Sequence, residues 1–342
     1  MSMHPPTRAP WTLREADFPI GATSYERARY LLRYAILAPS TKNTQPWKFV
    51  IAGDRIAILP DFTRWLRISD PDQRELHISL GCALENLIVA ADHFGYACDV
   101  TYGASSEGPS EAVASVTLQP AAAGTPRLRP AGLFEALSVR QTIHGFFTAR
   151  RVEPAVRRTL ACLATDDDVR LALKHDRGTT CALAALSAHA DVAELGDFDY
   201  RRELARVVGE GAFGNSWPVS KLGQIVLPHM NNGASLARRD EALMKDTLVG
   251  LISTVDDDRV SRIKAGQLFE RMCLMAAMLG VSVHPMSQAL QIPTLRREVA
   301  KVSGTSPLHP QQLFRIGYAP PQIRPHTPRR SVDQVIVAAE AV

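Results

Sequence analysis

At 342 residues the chain exceeds the length at which one hydrophobic core usually keeps growing, so two domains or one doubled domain is expected. Hydrophobic residues at 46% and charged residues at 22% are ordinary globular usage and exclude a disordered or low-complexity chain. A net charge of +4, with basic residues spread along the chain, excludes a nucleic-acid-binding stripe and suits a small anionic ligand.

In chain order, Met1 to Pro10 is Pro-rich and lacks the apolar core of a secretory signal, and no later stretch is long and apolar enough to span a bilayer, so no membrane partner and a cytoplasmic setting are expected. Ser24 is the expected N-cap of a helix running through Ala38, with Ala28, Leu31, Leu32, Ala35 and Leu37 on its apolar positions, until Pro39 stops it. Trp47 to Ala52 and Arg55 to Leu59 read as a hairpin turning at Gly53-Asp54. A long helix follows from about Pro71 to Phe94, ended by Gly95, then strands near Ala97 to Tyr102 and Ala112 to Leu118. Residues 120–130 hold three prolines and a glycine and read as a linker. Beyond it, Pro154 to Ala164, Thr180 to Leu195 and Arg259 to Leu279 read as helices, and Val169 to Lys174, Val281 to His284 and Leu313 to Tyr318 as strands.

The pattern Gly81-x3-Glu85-x5-Ala91-x3-Gly95 returns as Gly266-x3-Glu270-x5-Ala276-x3-Gly280, and Ala35 to Ala38 resembles Ala161 to Ala164 at a smaller offset. Duplication with an insertion in the second half explains both offsets. The expected organisation is an extension over 1–23, a first half over 24–119, the linker at 120–130, and a second half over 131–342 with a lid-like insertion at about 166–262.

The loop from Pro39 to Trp47 offers Ser40, Thr41, Asn43, Thr44 and Gln45 between two prolines, short polar groups on a stiffened backbone with Trp47 as an anchor. Such groups suit a ligand with many acceptors, although an ordinary helix-to-strand turn has the same composition. Ala38-Pro39-Ser40-x-x-Asn43-x-Gln45-Pro46-Trp47-x-Phe49 resembles a motif of the nitroreductase superfamily, in which this loop contacts flavin mononucleotide (FMN). Arg140-Gln141-Thr142-Ile143-His144 resembles that family's phosphate-holding segment, which there lies near the start of the partner subunit. With the loop in one half and the phosphate grip in the other, the chain resembles the fused, two-domain, Acg-like FMN-binding branch over residues 24 to 337. His144 departs from the family's arginine or lysine, which leaves a bound reduced ring with less help in holding negative charge.

The resemblance implies an α+β pseudo-dimer of two mixed sheet-plus-helix halves with one FMN site per chain. It implies FMN contacts from Pro39, Ser40, Thr41, Asn43, Gln45, Arg140, Thr142 and His144, with Ser287 near the site. Phe314 to Pro320 and Pro328-Arg329-Arg330-Ser331 resemble the family's C-terminal strand and its basic residues at the phosphate, although Arg329 and Arg330 taken alone read as a solvated tail. The implied activity is hydride transfer from NAD(P)H through FMN N5 to an electron-poor small molecule, a nitroaromatic, a quinone or a conjugated carbonyl, by a monomer or weak homodimer. No protein group is assigned the chemistry itself. The rival is a protein that stores FMN under a lid with little turnover.

Other motifs are weaker. Gly209-x-Gly211-x-x-Gly214 matches a dinucleotide-binding expression, but an Arg-rich helix precedes it where a strand is needed, and Asn215 to Pro218 is not expected to open the following helix. Asp166 to Asp168 and Asp256 to Asp258 read as solvated turns. Cys82, Cys98, Cys162, Cys181 and Cys273 read as reduced core thiols, and no metal site is expected. Lys42 reads as a surface lysine, and Phe213 and Trp217 as loop anchors that could cover the flavin face.

Overall fold

The computed structural model describes residues 7–103, 111–122, 124, 127, 129–164, 166–215, 217–245, 247–321 and 325–338. Four residues of the expected linker, 123, 125, 126 and 128, lie outside them, as do Ser216 and the side chain of Trp217. Helix α1 (Ser24–Ala35) is capped by Thr23, one residue before the expected cap: its hydroxyl accepts from Glu26 N while Glu26 reaches back to Thr23 N. The hairpin of β1 (Trp47–Ala52) and β2 (Arg55–Pro60) turns on Gly53 at φ 61. After α2 (Arg74–His93), β3 (Tyr96–Tyr102) and β4 (Ala114–Pro120) complete a sheet in the order β1-β2-β4-β3, with every neighbouring pair antiparallel.

The second half repeats this plan. A short α3 (Leu133–Ala136) and α4 (Pro154–Ala161) precede β5 (Val169–Lys174). The partner strand β6 (Leu248–Thr254) comes only after α5 (Arg177–Gly196), α6 (Phe198–Gly209), α7 (Trp217–Val226) and α8 (Gly233–Met244). Then follow α9 (Arg259–Met278), β7 (Ser282–Pro285), α10 (Gln288–Gln291), α11 (Pro293–Val302) and β8 (His309–Gly317). The second sheet has the order β5-β6-β8-β7, again antiparallel, which is the first sheet's order strand for strand. Among the described residues, parallel pairing enters only through isolated bridges, Phe49 with Ile336 and Thr142 with Val283. Each sheet is thus edged by a segment from a distant part of the chain, which makes both mixed.

The two halves meet where α2 packs on α9. A Cβ on Gly81 would lie 2.1 Å from the Ile263 carbonyl oxygen, and one on Gly266 would lie 2.1 Å from that of Ile78. The contacts are reciprocal at the offset seen in the sequence, as in an isologous dimer interface, here inside one chain. Only glycine permits so close a crossing. The fold is therefore α+β and duplicated, and one hydrophobic core runs across both halves, from Leu84 and Leu87 on α2 to Leu268 and Met272 on α9. A second core lies between β6, β8 and the helices α5, α10 and α11.

Several expectations are corrected. A helix does open at Trp217, because Pro218 in a first turn lacks no hydrogen bond it would otherwise make; the dinucleotide reading still fails, since helix α6 stands where its strand should be. Cys162 is exposed and not a core thiol, whereas Cys82 and Cys273 are buried. Asp257 is no solvated turn residue: it accepts from Arg296 at 2.7 and 2.9 Å and from Gln311 at 3.0 Å, and Asp258 caps α9. Among the described residues no helix is long and apolar enough to cross a membrane.

Candidate functional site

The loop after α1 is the most strained backbone near the site. Lys42, Asn43 and Gln45 adopt φ of 49, 55 and 52, left-handed values that non-glycine residues avoid at roughly 1–2 kcal/mol each. Contacts from four directions hold it there. Within the loop, Gln45 N donates to Ser40 Oγ at 2.9 Å and Thr44 Oγ1 to Thr41 O at 3.0 Å. From α2, Glu75 accepts from Thr41 Oγ1 at 2.8 Å. From the turn after α6, Ala212 O accepts from Asn43 Nδ2 at 2.6 Å, and from the C-terminal segment Pro328 O accepts from the same nitrogen at 3.0 Å. Trp47 is fully buried beneath.

Arg329 and Arg330 are buried, which corrects their reading as a solvated tail. They face different ways. Arg330 donates to Gln45 O at 3.0 Å and to Asp61 Oδ2 at 3.2 Å, while its own N–H donates to Gln45 Oε1 at 2.7 Å. Gln45 and Arg330 therefore bind each other behind the loop and do not line the cavity in front of it. Arg329 does line that cavity, donating to Asn43 Oδ1 at 2.9 Å, Thr327 Oγ1 at 2.7 Å and Leu37 O at 3.1 Å.

The cavity, about 640 Å³, lies between the halves and is within the usual range for a small-molecule site. Pro39, Ser40, Thr41 and Asn43 form one wall, Arg140, Thr142 and His144 another, and Ser287 a third, its Oγ spent on Leu313 O and N at 3.1 Å each. Ile78 and Phe269 supply apolar surface from the crossing helices.

One end is cationic. Arg140 and Arg329 are both buried and both donate to Leu37 O, and the Nε of each has no hydrogen-bond partner. Burial and then Arg140 lower the Arg329 pKa to about 9. Their carboxylate is Glu270 of α9, whose Oε1 lies 3.3 Å from Arg140 Nε. Burial raises its pKa to about 7 despite both arginines, so near neutrality it offsets less than one full charge. Trp11 closes this end: its ring stacks on His326 at 3.9 Å, sits 4.9 Å from the Arg329 guanidinium, and its Nε1 donates to Thr327 O.

The opposite end is acidic and is built by the helices between β5 and β6. Asp191 and Glu194 of α5, Tyr200 of α6, Phe213 of the turn after α6 and Asp240 of α8 all reach the cavity. Burial raises Asp191 to about 8, helped by Asp240, and Glu194 to about 7. Lys42 lies at this end, against its reading as a surface lysine. Its ammonium donates to Ser69 Oγ at 3.0 Å, sits 4.3 Å from the centre of the Tyr200 ring, and has its pKa lowered by burial.

Sequence reasoning missed Trp11, His326, Thr327 and Glu270, and every cavity group on α5, α6 and α8. Only Glu270 carried a visible signal, as the repeat of Glu85.

No family model matches the chain. A Mycobacterium tuberculosis protein provisionally named an NAD(P)H nitroreductase is 28% identical, over 91% of this chain and 91% of its own. Another from the same organism, named in the same way as the acg product, is 28% identical over 89% of this chain and 93% of its own. The chain is nitroreductase-like. That similarity runs nearly end to end, through both halves and the helices between β5 and β6. Among solved structures, an FMN-bound nitroreductase from Desulfitobacterium hafniense aligns with 57% of this chain and 93% of its own at 12% identity and a TM-score of 0.38. A second, from Bacteroides fragilis, also solved with FMN, covers 58% and 95% at 10% identity and a TM-score of 0.38. With scores that low, the duplicated fold of the nitroreductase-like chain rests on its own strand order and reciprocal helix contact.

Proposed function

We propose that the chain is an FMN-dependent oxidoreductase, holding one flavin between its halves and passing reducing equivalents from NAD(P)H to an electron-poor small molecule. The observation that carries this is the cationic end of the cavity: the two buried guanidiniums of Arg140 and Arg329 line it and share one carboxylate, Glu270, whose pKa burial raises to about 7, so positive charge is left over there. A phosphate would supply the balancing negative charge. Arg140 and Arg329 would hold it, with Thr327 beside them. Pro39, Ser40, Thr41 and Asn43 would bound the ring and ribityl chain, with Thr142 and His144 on the facing wall and Ser287 shaping the floor; Gln45 and Arg330 would act by holding the loop. FMN, when bound, supplies hydride acceptance and donation at N5. The protein's contribution is to position the ring, exclude water beneath α5 to α8, and keep protons on Asp191 and Glu194 near neutral pH, within the cavity an acceptor would enter. A nitroaromatic, a quinone or a conjugated carbonyl fits that chemistry. Because the pseudo-dimer contact is internal, a monomer suffices as the working unit, and we place it in the cytoplasm.

The similarity to relatives named for NAD(P)H-dependent nitroreduction supports this reading. A second reading, an FMN store with little turnover, draws on the helical roof, whose Ala212 carbonyl is bonded directly to Asn43. Titration of the apoprotein with FMN tests the shared part: Arg140→Ala and Arg329→Ala should each weaken binding by roughly 10- to 100-fold, the worth of a charged hydrogen bond. No uptake of FMN by the unaltered protein would refute both readings. Anaerobic mixing of the flavin-loaded protein with NADH and with NADPH then separates them, since bleaching by either supports the enzyme and bleaching by neither supports the store.

A further inference from the structure

His144 lines the cavity opposite the loop, and its ring is not left to titrate by itself. Its Nδ1 lies 2.9 Å from His284 Nε2, and the other nitrogen of His284, Nδ1, receives Arg315 Nε at 3.0 Å and Nη2 at 2.9 Å. Arg315, on β8, is fully buried and its fork is committed: Nη1 donates to Leu243 O at 3.2 Å, Nη2 also donates to Gly145 O, and Phe147 stacks against the guanidinium at 4.1 Å.

A proton inventory follows from these contacts. Guanidinium has donors only, so His284 Nδ1 must present its lone pair. A neutral His284 then carries its proton on Nε2 and donates it to His144 Nδ1. His144 Nδ1 is thereby an acceptor, and the His144 proton must sit on Nε2. Charging His144 would put a second hydrogen between the rings, or require His284 to give up its one ring proton and become an imidazolate. The surroundings oppose a further cation. Arg239 of α8 donates to His144 O at 2.6 Å, Arg315 stands behind His284, and Arg140 lies on the same segment; Asp240 is the nearby carboxylate, 3.5 Å from Arg239 and bonded to Gln288. Burial pushes His284 far below the ordinary histidine range; any charge on His144 would push it further, and Arg315 and Arg239 act in the same direction.

We propose that Arg315, acting through His284, fixes His144 as a neutral imidazole protonated on Nε2, so that this wall of the cavity meets its ligand without a cation. Arg315 and His284 are positioning residues; they act through His144. The lock is independent of what the cavity holds. Its consequence for a bound flavin rests on the function proposed above: negative charge on the reduced ring gets no help from a protonated His144.

Histidine side-chain nitrogen NMR on the full-length apoprotein, labelled with 15N-histidine and with the His144 signals identified by their loss in His144→Gln, tests the lock. The expected result is one neutral form of His144, protonated at Nε2, from pH 6 to pH 9. An Nδ1-protonated form, or titration near the ordinary value of about 6.5, would overturn it. In His284→Leu the relay is cut and His144 should titrate again, whereas His284→Gln, whose carboxamide can accept from Arg315 and donate to His144, should keep it neutral. If His284→Leu does not fold, the wild-type spectrum alone still decides. In the FMN-loaded protein, His284→Leu should add a rise in flavin midpoint potential below about pH 6.5 that wild type lacks. Failure to bind FMN would refute the function proposed above and leave the NMR result standing.

Discussion

Glu85 on α2 and Glu270 on α9 occupy equivalent places in the two halves, four residues after the crossing glycines, and both are fully buried. Their surroundings diverge. Glu85 receives Arg129 Nε at 2.5 Å and Arg271 Nε at 2.7 Å, with Gln267 alongside, and the arginines hold its pKa below the usual value against the effect of burial. Glu270 has Arg140 at 3.3 Å and Asn86 at 3.0 Å. A duplicated fold begins with two equivalent sites; here one carboxylate is closely paired with two arginines, and the other has the looser Arg140 contact, beside a cavity that Arg140 and Arg329 line. Two copies of one residue thus sit in opposite electrostatic surroundings, one pKa held down by its arginines and the other pushed up by burial.

This contrast can be broken at several points. Glu85→Gln should be the most damaging, because it leaves the buried Arg271 and the half-buried Arg129 without their carboxylate; a loss of ~3–5 kcal/mol in urea unfolding is expected. Glu270→Gln should cost far less, and an equal loss would show that the two sites are alike. Gly81→Ala and Gly266→Ala should each cost ~1–3 kcal/mol, by similar amounts, since both put a methyl group into the facing helix backbone at the same distance. Unequal effects in thermal or chemical denaturation would mean that the crossing is less symmetric than its geometry. The smallest effect concerns pH, and the two glutamates carry opposite signs. Glu270 is raised from 4.5 to about 7, so the folded state binds more protons, and its contribution to stability is complete below about pH 4.5 and lost as pH rises to about 7. Glu85 is lowered, so its contribution is present above about pH 4.5 and is lost as pH falls through its folded value. Between pH 4.5 and 7, wild type should lose ~1–2 kcal/mol more than Glu270→Gln, a fraction of the full two-to-three-unit shift. Parallel stability curves would refute the raised value.

The fold was legible where local chemistry and periodicity agree. The β1–β2 hairpin is written in Gly53-Asp54, and the α2–α9 pairing in the repeated Gly-x3-Glu, whose glycines are required because a methyl group at either would lie 2.1 Å from a backbone oxygen of the facing helix. The loop wall and Arg140 were legible through motif resemblance. What escaped depends on distance along the chain. Arg329 reads as a polar tail because the groups that bury it, Leu37 O and Asn43, lie nearly 300 residues earlier. Lys42 reads as exposed because Ser69 and Tyr200, which cover it, belong to other elements. Trp11 has no local partner, only His326 and Thr327. The acidic end was hidden because α5, α6 and α8 look like ordinary amphipathic helices until they are placed above the cavity. The neutral state assigned to His144 depends on Arg315, two strands away from the motif that drew attention to it.

The bond from Arg329 to Asn43 also fixes an order in time. A chain made from its N-terminus presents the strained loop early, yet the guanidinium that closes the loop's cavity and the backbone of residues 335–337 that pairs beside Phe49 are made nearly 300 residues later. Until then the first sheet has an open edge and left-handed residues without their supports. A ligand that depends on Arg329 is therefore held only once those later residues have been made.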